Sequence, residues 1–110
     1  MTANFAALVV LCTVPDRDTA RRLAEAAVTQ RLAACVNLLP GVESVFLWNG
    51  VLERAQEILL VAKTTRAAYS ALEQLWRDEH PYELPEVIAV PIASGSEAYL
   101  QWINRAVSPC

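Results

Sequence analysis

Residues 5 to 13, FAALVVLCT, are apolar or β-branched at consecutive positions, so this segment reads as a strand covered on both faces and placed inside a sheet. Pro15 and Asp16 close it and open a helix. From Asp16 to about Leu32 the apolar positions Ala20, Leu23, Ala24, Ala27, Val28 and Leu32 recur at helical spacing, with Arg21, Arg22, Glu25 and Gln30 largely opposite. Cys35 to Trp48 reads as a second strand broken or bulged at Pro40-Gly41, because proline cannot donate to a ladder. Asn49-Gly50 is a two-residue hairpin turn of the kind that requires positive φ, and the return strand runs from Val51 to Thr65. Its inner part, Ile58 to Ala62, is apolar on both faces.

A second helix is predicted over Arg66 to Glu79, with Thr65 as its N-cap and Tyr69, Leu72, Leu75 and Trp76 as its buried stripe. It stops near His80, since Pro81 and Pro85 bias His80 and Leu84 away from helical backbone. Glu86 to Ile92 then reads as a buried strand. Ser94-Gly95-Ser96-Glu97 matches a capping box and opens a third helix with Tyr99, Leu100, Ile103 and Val107 at helical spacing. Ser108-Pro109-Cys110 reads as a loose tail.

The element order βαββαβ plus a terminal helix predicts an α+β fold of ferredoxin-like plan, with a long hairpin between its second and third strands and all 110 residues in one domain. Strands one and three, the two with apolar residues on both faces, are the central pair in that plan. With both main helices on one face, the opposite apolar face has no cover within the chain. At about 3.3 Å per residue the third strand is roughly 45 to 50 Å long and overhangs the sheet. An uncovered face and an open-edged overhang together predict a homo-oligomer. The alternative is a hairpin that bends back over its own sheet.

Composition narrows the classes. The hydrophobic share of 55% is spread over short segments, so no bilayer span is predicted. The run Phe5 to Leu11 is too short to span and lacks a basic leader, which predicts a cytoplasmic protein. Cys12, Cys35 and Cys110 form no disulfide framework and fit reduced thiols. A net charge of −3 without a cluster of basic residues disfavours nucleic acid and anionic membranes as partners.

The topology predicts that Cys12, at the end of the first strand, and His80, at the end of the second helix, share one end of the sheet. A thiolate, an imidazole and a neighbouring carboxylate from Glu79, Glu83 or Glu86 would suit copper, zinc or another borderline divalent metal. Against this stand simpler roles: Cys12 as a small buried hydrophobe, and His80 as a helix-terminal residue favoured by the dipole. Cys35 should be remote from Cys12 and belong to the core. Glu57 and Lys63 are candidates for a pocket between subunits, or for rim charges. No orienting Asn or Asp and no oxyanion loop accompany Cys12 and His80, so the chain reads as non-enzymatic with no organic cofactor.

Taken together, LCTVPD at 11 to 16, LAACVNLLPGVES at 32 to 44, WNG at 48 to 50, KTT at 63 to 65, HPYELPEV at 80 to 87 and YLQWI at 99 to 103 resemble the CutA family, the divalent-ion tolerance proteins. The resemblance implies a homotrimer similar in plan to the PII signalling proteins, with hairpins pairing between subunits, and a link to divalent-metal or copper tolerance. It carries the metal ligands to Cys12 and His80. Where some relatives have a second histidine before HPY, this chain has Glu79.

Overall fold

The structure, a computed structural model, describes residues 6–107. Phe5 and the 108–110 tail, including Cys110, lie outside the described residues. The elements are β1 (Ala7–Val14), α1 (Arg17–Thr29), β2 (Cys35–Trp48), β3 (Val51–Thr65), α2 (Arg66–Glu79), β4 (Ile88–Pro91) and α3 (Glu97–Val107). The four strands form one antiparallel sheet in the order β2-β3-β1-β4, which puts β1 and β3 in the centre as their composition predicts.

Local chemistry sets the boundaries. The Asp16 carboxylate accepts from the Thr19 amide at 2.8 Å and starts α1. That helix ends earlier than the apolar spacing through Leu32 predicts. Arg31 takes φ +60°, its amide donates to the Val28 carbonyl, and Leu32 donates to the Ala27 carbonyl, a Schellman ending that turns Leu32 out of the helix. The Arg31 guanidinium then donates to the Arg105 and Ala106 carbonyls, tying this turn to the C-terminus of α3. Thr65 caps α2 through the Ala68 amide. For α3 the cap is Ser96, whose hydroxyl accepts from the Tyr99 amide at 3.2 Å, and not Ser94, which the predicted capping box puts there.

Asn49 (φ +52°) and Gly50 (φ +79°) form the predicted tight turn, and the β2–β3 register slips between Leu39 and Val42, where Gly41 takes φ +84°. β1 pairs only with residues 58–65 of β3, so residues 51–57 and their β2 partners 42–48 project past it. The longest dimension is accordingly 51 Å. Apolar side chains on this overhang lie open, among them Leu47, Val45, Val51 and Leu52.

Both α1 and α2 pack on one sheet face, where Val10, Cys12, Val14, Leu23, Leu60, Leu72 and Trp76 are fully buried. The Trp76 indole donates to the Leu23 carbonyl at 3.0 Å, joining the two helices. On the opposite face, directly paired rows bring Val9 beside Val90 and Lys63, and Leu11 beside Ile88 and Val61. Lys63 donates to the Asn37 side chain there. β4 is shorter than predicted and is not buried by the described residues: Ile88 is 51% and Val90 48% exposed, because none of the described residues covers this face at the sheet edge.

Candidate functional site

Where α2 meets Pro81 the chain is forced out of helical backbone: His80 sits at φ −77°, ψ 139°. The chain then turns through 81–87 beside the end of β1 and the base of the hairpin. His80 is 8% exposed. Its Nε2 lies 2.8 Å from the Thr13 carbonyl oxygen, and the Tyr82 amide reaches its Nδ1 at 3.1 Å. A carbonyl can only accept and an amide N–H can only donate, so the ring carries its proton on Nε2. The Tyr82 ring lies against the imidazole, centroids 4.7 Å apart, and the Tyr82 hydroxyl donates to the Glu57 carboxylate at 2.8 Å. Glu57 is 6% exposed. Burial, and then the bond and charge of Glu57, push the Tyr82 phenol up to about 12.

Cys12 is brought to the same end of the sheet as His80, as the topology predicts. Its Sγ lies 3.9 Å from the same Thr13 carbonyl that accepts the imidazole Nε2–H. Burial, followed by the charges of Glu86 and Glu57, pushes the thiol up to about 12, so the site opposes a thiolate. Glu79 is not part of this cluster: its carboxylate pairs with Arg22 of α1 at 3.0 Å, both side chains about half exposed. Cys12, His80 and Glu79 in this arrangement do not fit a divalent ion, since both imidazole nitrogens are bonded to backbone groups, the thiol is fully buried, and the Glu79 carboxylate is paired with Arg22 outside the cluster. Among the described residues no group of three or more His, Cys, Asp or Glu is placed to hold a metal.

Cys35 pairs with Lys63 across β2 and β3, on the face away from Cys12, and both thiols are free. The Tyr99 phenol is raised first by burial and then by the neighbouring Cys35 side chain, to which it is hydrogen-bonded.

Between the hairpin overhang and the corner lies a groove of about 860 Å³. Phe46, Trp48, Tyr82 and Leu84 give it apolar walls, Glu53, Glu57, Glu83 and Glu86 give it carboxylates, and no Lys or Arg among the described residues lines it. Sequence reasoning points to Glu57 as a pocket candidate but not to Tyr82. The signal for Tyr82 is register: Glu57 is the first residue of β3 past the end of β1, and Tyr82 lies two residues beyond His80 at that same end.

A ferredoxin-like α+β sandwich with a projecting hairpin, and a groove between that hairpin and a proline-bounded corner, is the class these features define. A family model for the CutA1 divalent ion tolerance protein matches residues 8–106. The divalent-cation tolerance protein CutA of Thermus thermophilus is 47% identical over 97 residues, covering 88% of this chain and 94% of that protein. Among solved structures, CutA1 from Oryza sativa superposes with a TM-score of 0.92 at 39% identity, covering 96% of this chain and 97% of that one. The periplasmic divalent cation tolerance protein CutA from Archaeoglobus fulgidus does so with a TM-score of 0.90 at 31% identity, covering 93% and 99%. This chain belongs to the CutA family.

Proposed function

We propose that this chain acts in divalent-cation tolerance, copper being the ion to test first, as a non-enzymatic cytoplasmic homotrimer. The observation that carries the assembly is the projecting hairpin, whose open apolar residues accompany a sheet face that the described residues cover only in part, with Ile88 and Val90 exposed at its edge. An isolated chain would leave both in water, and a symmetric ring covers both. Free Cys12 and Cys35 are in keeping with a reducing compartment. Because Cys12, His80 and Glu79 are engaged elsewhere, the reading does not route function through a metal held by them.

The groove favours a second reading, a PII-like sensor whose clefts between subunits take a small molecule. Its volume of about 860 Å³ is in the range of small-molecule sites. Two measurements separate the readings. Deleting the gene and restoring it should respectively lower and recover growth in graded Cu²⁺ and Zn²⁺; unchanged growth in every ion would count against the tolerance role. Native mass spectrometry of the assembly from its own cells should show a bound small molecule if the sensor reading holds, and bare protein if it does not.

A further inference from the structure

We infer that His80 is a latch that holds the 81–87 corner against the ends of β1 and β3, and that it is not a metal ligand in the folded protein. The inference stands whether or not the chain acts in cation tolerance. Three contacts define the latch. The Nε2–H of His80 holds the Thr13 carbonyl of β1, its Nδ1 holds the Tyr82 amide of the corner, and Tyr82 carries the connection to Glu57 at the base of the β3 overhang. His80 and Glu57 are both more than nine-tenths buried, so water is a poor substitute for any of these partners. The corner supplies Pro81, Tyr82, Glu83, Leu84 and Glu86 to the groove, so the latch also sets that wall.

Ligation would undo it. An ion on Nε2 displaces the proton bonded to Thr13, and an ion on Nδ1 displaces the Tyr82 amide. Either choice strands a backbone group. Metal uptake at His80 therefore requires the corner to open first.

His80 is the only histidine in the chain, so its ring nitrogens can be followed without assignment ambiguity in untagged full-length protein. Long-range ¹H–¹⁵N correlation at neutral pH should show the Nε2–H tautomer, with neither nitrogen moving on addition of one equivalent of Zn²⁺ or Cu⁺. The other tautomer, or a stoichiometric metal-induced shift of either nitrogen, would overturn the latch. A second test uses His80→Gln, whose amide offers one donor and one acceptor. Alkylation of Cys12, resolved from Cys35 and Cys110 by peptide mapping, should proceed at nearly the parental rate in His80→Gln. In His80→Ala it should be at least about tenfold faster, the effect of losing a hydrogen bond from a local opening equilibrium. Equal acceleration in both variants, or parental protection in both, contradicts the inference; if His80→Ala does not fold, the imidazole spectrum and His80→Gln decide it.

Discussion

Tyr82 donates its hydroxyl to the Glu57 carboxylate at 2.8 Å, joining a loop residue to a carboxylate that is 6% exposed at the base of the hairpin. Removing the donor leaves that carboxylate buried and under-bonded. Tyr82→Phe should therefore cost about 1–3 kcal/mol, read as a lower urea midpoint. The Glu57→Gln and Tyr82→Phe double-mutant cycle should show coupling; strictly additive effects would mean the bond carries no weight.

Alkaline pH should destabilise the fold through Cys12 and Tyr82. Both are held protonated in the native state, with the Cys12 thiol raised from 9.0 and the Tyr82 phenol from 10.0, each to about 12. Groups shifted upward contribute stability that is intact below their unfolded values and is lost as pH climbs toward the folded ones. The loss should begin near pH 9 and deepen toward pH 12, and Cys12→Ala should flatten its lower part in a series of denaturation midpoints. A parental slope in Cys12→Ala would show that the thiol is not responsible.

Much of this fold was legible because particular residues carry unambiguous physics. Asn49-Gly50 demands positive φ, Thr65 caps a helix, and Pro81 ends one; all three boundaries stand where those residues put them. The end of α1 was not legible, since an arginine at φ +60° does the work expected of glycine and the apolar spacing continues through Leu32. Neither was the exposure of β4: a run such as Ile88-Ala89-Val90 does not say whether its cover comes from its own chain. At the site, topology sufficed to bring Cys12 and His80 to one end. The partners of each ring nitrogen depend on ångström-scale placement of Thr13 and Tyr82, which residue spacing does not encode.

Trp76 should be the most costly single truncation among the helix contacts. It is fully buried and donates from α2 to the Leu23 carbonyl of α1. Trp76→Ala should lose about 3–5 kcal/mol through the void and the lost contacts, measurable as a large fall in the denaturation midpoint. A loss below about 1 kcal/mol would mean that the core collapses into the space.

Val61 tests the open sheet face, where it pairs with Leu11 and Asn37. Within one chain it is only partly buried, so Val61→Glu should leave the far-ultraviolet spectrum unchanged. In an assembly that covers this face the charge is buried without a partner and should shift the protein toward single chains. A parental assembly in Val61→Glu would place the interface elsewhere.

In the proposed assembly the projecting hairpin and the open sheet face belong to a three-chain ring. Native mass spectrometry of the purified protein tests it most directly. One dominant species at three times the 12.1 kDa chain mass is expected; a dominant species at the single-chain mass would contradict the ring.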